Sequence, residues 1–152
     1  LDRKGKGATM LILGSILMII CHLTFAIFPF VYGSTTSTIV SITSIIVLGI
    51  SFSLVPATLW PSVPKLIDNK VLGSAYSAIF WIQNIGLMTV PIVIGSVLDS
   101  VNKGIPQDQP KDYTLAMLVF TSFGVIALLM SLFLKAIDKK KHYGLELPNV
   151  QK

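Results

Sequence analysis

Residues 7–64 read GATMLILGSILMIICHLTFAIFPFVYGSTTSTIVSITSIIVLGISFSLVPATLWPSVP, 58 residues without one Asp, Glu, Lys or Arg. A helix needs about 20 apolar residues to cross the hydrocarbon core of a bilayer, so this run holds two crossings. It divides at Val31-Tyr32-Gly33-Ser34-Thr35, a short turn-forming stretch. Two further charge-free runs follow, residues 71–98 and 113–134, of 28 and 22 residues, and each fits one crossing. The expected fold is therefore an all-α membrane protein with four transmembrane helices, at about 8–32, 37–55, 71–98 and 113–134, the second with a continuation past Pro56 left open.

Composition supports lipid as the solvent. Of 152 residues, 53% are hydrophobic and only 12% charged, with a mean hydropathy of +0.76. Soluble domains carry about one-quarter charged residues, and the helices of a soluble bundle each show a polar stripe. These helices show none. The first apolar run is also too long for a secretory signal peptide, and others follow it.

Orientation comes from the basic residues. Arg3, Lys4 and Lys6 precede the first span, Lys65 and Lys70 lie between the second and third, and Lys135, Lys139, Lys140, Lys141 and Lys152 follow the fourth. The first connection has none, and the third has Lys103 and Lys111, diluted by Asp99, Asp108 and Asp112. Ten against two places both termini in the cytoplasm. The net charge of +5 is then a matter of orientation, and nothing supplies the basic face of a nucleic-acid-binding protein. Phe28, Phe30, Tyr32, Trp60 and Tyr113 fall at span ends, as interfacial aromatics do.

The chain opens Leu1-Asp2-Arg3-Lys4-Gly5-Lys6-Gly7. Asp-Arg-x-Gly-Lys just before a membrane helix resembles the signature loop of the major facilitator superfamily, with Gly5 permitting the tight turn. That loop joins helices two and three and, in weaker form, eight and nine. The superfamily's fourth helix usually carries a membrane-embedded Arg. The second span here has none, so the resemblance implies the eight–nine placement. Residues 1–7 are then a cytoplasmic signature loop, residues 8–136 the last four helices of a twelve-helix transporter, and residues 137–152 a cytoplasmic tail. Eight preceding helices of the same chain are expected.

A narrower resemblance lies in Ala57-Thr58-Leu59-Trp60-Pro61-Ser62-Val63-Pro64, Leu72-Gly73-Ser74-Ala75-Tyr76 and Ile82-Gln83-Asn84-Ile85-Gly86-Leu87. The series is similar to the lysosomal dipeptide uniporter subfamily and its bacterial relatives, over about residues 49–100. The resemblance implies secondary transport of a small polar organic solute, dipeptides among them, by alternating access. An organic-anion or sugar facilitator, and a four-span structural or assembly protein without transport, remain as alternatives. The short tail favours a bacterial cytoplasmic membrane over a lysosomal one.

Candidate site residues follow from helical geometry. Tyr76, Gln83 and Asn84 share an arc of about 100° on the third span, and adjacent amides in a membrane must find partners. They either bond to neighbouring helices or face a polar path. On the second span, small residues at Ser37, Ser41, Gly49 and Ser53 suit helix packing. By resemblance to the superfamily, whose tenth helix lines the cavity, Ser44 and Ser51 on another face are expected to present hydroxyls to it. Pro56 and Pro61 bracket Trp60 in an expected broken helix end, a candidate gate hinge. Gly73 and Gly86 suit close packing, and Pro91 suits a kink. His22 is expected to bond to a neighbouring carbonyl rather than relay protons, so this part of the protein supplies no coupling proton.

No catalytic constellation, metal cluster or cofactor motif is present in the sequence. The only cysteine, Cys21, lies mid-span, so no intrachain disulfide forms. The implied partners are the lipid bilayer and a small-molecule substrate, with no nucleic acid.

The topology is checked by cysteine scanning in a Cys21-free background. A cysteine at position 105 should react with an impermeant thiol reagent from outside only, and labelling from the cytoplasmic face alone would overturn the orientation.

Overall fold

A computed structural model of the chain describes residues 5–148. Four helices make the fold: α1 Gly7–Ile27, α2 Thr35–Leu66, α3 Leu72–Val101 and α4 Thr114–Lys141, with a short 3-10 turn at Asn69–Val71 before α3. Among the described residues there is no strand. All four helices are long and apolar enough to cross a membrane, and the chain is a multi-pass integral membrane protein. Asp2 and Arg3 of the expected signature turn lie outside the described residues, as do residues 149–152 of the tail.

Helix α1 is the centre of the bundle, lying between α2 and α4, while α3 touches mainly α4 and the end of α2. The α1–α2 contact is built on small residues that step by seven in both helices. Gly7 meets the Thr58 side chain, and Gly14 lies against the Ser51 carbonyl, with an added Cβ only 3.5 Å from that oxygen. The Cys21 thiol reaches the Ser44 carbonyl at 3.2 Å. Small side chains let two helix backbones approach closely where lipid offers no hydrophobic drive for association. A seven-residue step keeps one seam in contact along a pair of helices that wind gently around each other.

Helix α4 crosses α1 on its other side through buried Ala116, Thr121, Gly124 and Ser131. Gly124 admits α1 most closely, since a Cβ there would stand 2.8 Å from Ile19 Cγ1. Near the same level the His22 and Phe120 rings stack, with centroids 5.3 Å apart.

The first connection is tight. Gly33 takes a left-handed φ of 77°, the Ser34 hydroxyl caps α2 by accepting from Ser37 N–H, and Ser37 Oγ accepts from Val31 N–H at 3.0 Å. The connection after α3 is locked by its own polar groups. Asn102 Nδ2 donates to the carbonyls of Leu98 and Asp112, and Asn102 Oδ1 accepts from Asp112 N–H at 2.7 Å. The Asp112 carboxylate accepts from Thr114 N–H at the start of α4. That bond and one to the Thr114 side chain hold its carboxyl below the usual carboxylate range.

Helix α2 extends beyond 37–55 and takes the course past Pro56 that the sequence left open. It runs through Pro56, Pro61 and Pro64 to Leu66, 32 residues in all. At 1.5 Å per residue it is about 48 Å long, beyond the roughly 30 Å of hydrocarbon. Pro91 likewise lies within an uninterrupted α3. Proline ends helices in water because it removes a donor and crowds the preceding turn. Membrane helices tolerate it when other groups satisfy the freed carbonyls.

The α1–α4 approach predicts that Gly124→Val overpacks the seam and costs about 1–3 kcal/mol. The thermal unfolding midpoint in detergent should fall, and an unchanged midpoint would mean that the two helices stand further apart than described.

Candidate functional site

The polar arc expected on α3 is present, but its members do different things. Tyr76 lies near the start of α3 and donates its hydroxyl to the Trp60 carbonyl at 3.1 Å. That carbonyl would normally accept from the N–H four residues on, and residue 64 is proline, which has none. Tyr76 therefore supplies from α3 the donor that α2 lacks. The Trp60 ring stacks on Phe80, one helical turn further along α3, with centroids 4.9 Å apart and planes at 28°. It also leans on the Tyr76 ring at 5.9 Å. Two aromatic contacts and one hydrogen bond thus join α3 to the proline-bearing end of α2.

Asn84 turns its amide inward on its own helix, donating Nδ2–H to the Phe80 carbonyl at 2.8 Å. Gln83 instead lines an open groove of about 710 Å³ with Gly86, Leu87, Val90, Pro91 and Phe120. Beyond Gln83 the lining is almost wholly apolar, so its amide is the groove's polar feature.

Helix α3 has no buried residue. Trp81 is 69% exposed, and Ile82, Leu87 and Met88 are similarly open. A Cβ at Gly73 or Gly86 would meet nothing within 4 Å. The close packing expected of these glycines is therefore not made with α1, α2 or α4.

Ser44 and Ser51 stand elsewhere than expected. Both are buried against α1, at 7% and 0% exposure, and the Ser51 hydroxyl donates to the Gly14 carbonyl at 2.7 Å. They belong to the seam with α1, whereas Gly49, assigned to packing from the sequence, meets nothing within 4 Å. Residues seven apart share a face, as the sequence geometry requires, but that face is turned to α1.

His22 Nδ1 lies 2.8 Å from the Met18 carbonyl. A carbonyl only accepts, so the bond requires the proton on Nδ1. The ring is held by its own helix and by Phe120. Among the described residues no group of three His, Cys, Asp or Glu side chains is placed to hold a metal ion.

The architecture defines a helical membrane protein with a three-helix packed body and one helix held more loosely, against α4 and the end of α2. The chain is similar to the lysosomal dipeptide transporter MFSD1 of Danio rerio, with 28% identity over 149 residues, covering 96% of this chain and 28% of that protein. It is similar to the Homo sapiens and Mus musculus proteins of the same name, each with 43% identity over 53 residues, 35% of this chain and 11% of theirs. The chain thus spans little more than a quarter of the length of the Danio rerio relative. No family model matches the chain, and no solved structure matches it.

The latch predicts that Tyr76→Phe leaves the Trp60 carbonyl without its donor at a cost of about 1 kcal/mol. With carbon-13 at the tryptophan carbonyl in a background where Trp60 is the one tryptophan left, the Trp60 amide band should move to higher frequency. An unmoved band would show that Tyr76 does not serve that carbonyl.

Proposed function

We propose that the chain forms the last four helices of a major-facilitator secondary transporter that carries a small polar organic solute, dipeptides in particular, by alternating access. The observation that carries this reading is the similarity to a lysosomal dipeptide transporter along 96% of the chain. The largely open α3, which has no buried residue, supports it physically. A helix with Gln83, Asn84 and two glycines on open faces is suited to meet further helices and a polar path.

In this reading both termini and the α2–α3 connection are cytoplasmic, and Gly33 and residues 102–113 face outward. The Trp60–Tyr76 latch then sits at the cytoplasmic end of α2 and α3. Pro56, Pro61 and Pro64 weaken the hydrogen-bond ladder of α2 there, which suits a segment that bends as the gate opens. Gln83, whose amide is free to reach across the groove, contacts the backbone of the bound solute. Asn84 orients the helix face by its bond to Phe80. Ser44 and Ser51 take no part in binding, because their faces are occupied by α1.

The test is uptake of a dipeptide panel by proteoliposomes containing the full-length parent protein. Gln83→Leu removes a hydrogen bond to substrate and should lower uptake about three- to tenfold. Asn84→Leu should lower it less, and Thr89→Leu, whose hydroxyl bonds the Ile85 carbonyl, should leave it unchanged. Loss of surface expression in proportion to uptake would make the arc a packing feature, and no dipeptide uptake by the wild type would overturn the dipeptide reading.

A further inference from the structure

Residues 142–148 fold back across the end of the bundle where α1 begins and α4 ends, and nothing in the transport reading employs them. The fold-back begins at His142, whose left-handed φ of 55° ends α4. Leu145 is 1% exposed, and its N–H donates to Asp138 Oδ1 on α4 at 3.1 Å. Lys65, in the last turn of α2, donates Nζ–H to the carbonyls of Gly144 and Leu147 at 3.1 and 2.8 Å.

The contacts with α1 are the closest. Lys6, at the cap position of α1, is left-handed and offers no side-chain cap. The first N–H groups of a helix have no partner within it. The tail supplies them. Lys6 and Gly7 donate N–H to the carbonyls of Glu146 and Leu145, each at 3.0 Å. Thr9 N–H donates to Glu146 Oε1 at 2.9 Å, where a negative charge also suits the helix dipole. The Thr9 hydroxyl donates to the same carboxylate while accepting from Lys135 Nζ of α4 at 2.7 Å. One hydroxyl thus links Lys135 to Glu146.

Only glycine allows this crossing. Gly5 has a φ of +69°, and a Cβ there would collide with the Glu146 carbonyl oxygen. A Cβ on Gly7 would stand 2.8 Å from the Leu145 oxygen. The Gly-Lys-Gly turn is the seat of the tail.

We infer that residues 142–148 form a conformational clasp that holds the start of α1 and the ends of α2 and α4 as one cooperative body, leaving α3 as the element free to move. Its polar groups come from all three helices: Thr9 and the Lys6–Gly7 backbone from the start of α1, Lys65 from α2, and Lys135 and Asp138 from α4. Among the described residues no hydrogen bond runs from the tail to α3. Because one short segment bonds to three helices at once, releasing it from one weakens its hold on the others. A set of contacts coupled in this way opens as a unit rather than piecemeal.

Hydrogen–deuterium exchange on the full-length protein in nanodiscs tests this. Glu146→Ala should speed exchange about tenfold or more in residues 7–12 of α1 and also in residues 57–66 of α2, with which Glu146 exchanges no hydrogen bond among the described residues, with residues 72–101 unchanged. Glu146→Gln keeps the size and an acceptor and should give a smaller rise at the same two places, which keeps the test open if the alanine variant misfolds. Lys65→Ala should in turn speed exchange in residues 7–12, since coupling between two sites is reciprocal. A rise confined to residues 7–12 in the Glu146 variants, or no change there in Lys65→Ala, would reduce the tail to a local helix cap and overturn the clasp. Exchange reads the clasp whether or not dipeptides are carried, so the two readings fail separately.

Discussion

The backbone approach of α1 to α2 sets the rest of the bundle. In a bilayer the solvent is as apolar as the side chains, so burying leucine against leucine gains little, and association rests on close packing and polar contacts. Gly7, Gly14 and Cys21 provide a smooth edge on α1, and Thr58, Ser51 and Ser44 provide a matching edge on α2. Once these edges meet, the Ser51 hydroxyl reaches the Gly14 carbonyl, and the end of α2 is brought to where Lys65 reaches the tail. The opposite face of α1 is left for α4, which uses Gly124 in the same way. The sandwich keeps α3 off α1 and leaves it the outer side of α4 and the end of α2.

That exclusion gives α3 its character. Besides its contacts with α4, it is held by the Trp60 carbonyl freed by Pro64 and the aromatic contacts around it. A proline in α2 thus creates the acceptor through which a neighbouring helix is held. A hydrogen bond of this kind in a membrane is worth about 0.6 kcal/mol on average. It is weak enough to be broken and remade in a conformational change, and it is directional enough to define a closed position.

Much of the fold was legible because a bilayer imposes a length and a charge rule on any chain. The four spans, the turn at Gly33 and the helical character of each segment follow from the absence of charge over 58, 28 and 22 residues. The end of α2 was only half legible, since a continuation past Pro56 stayed open while Pro61 and Pro64 read as breaks under a rule learned in water. Placing Tyr76, Gln83 and Asn84 on one arc was sound geometry, but periodicity does not say which neighbour a face meets. The same limit put Ser44 and Ser51 on an open cavity, although the seven-residue step of Gly7, Gly14 and Cys21 stood in the sequence as a hint of their true partner. The fold-back of residues 142–148 left no trace in hydropathy, because it rests on backbone carbonyls and on one carboxylate meeting a helix start 137 residues away.

That separation bears on biosynthesis. Ribosomes add about 5–20 residues per second, so roughly 7–27 s pass between the emergence of Thr9 and that of Glu146. Throughout that interval the first turn of α1 has no tail to accept its N–H groups, and water or lipid headgroups at the membrane surface must serve instead. The end of α1 is thereby kept adjustable while α2, α3 and α4 are inserted, and it is fixed only when the last of them is in place. The bundle is in this sense closed by a segment made after all four of its helices.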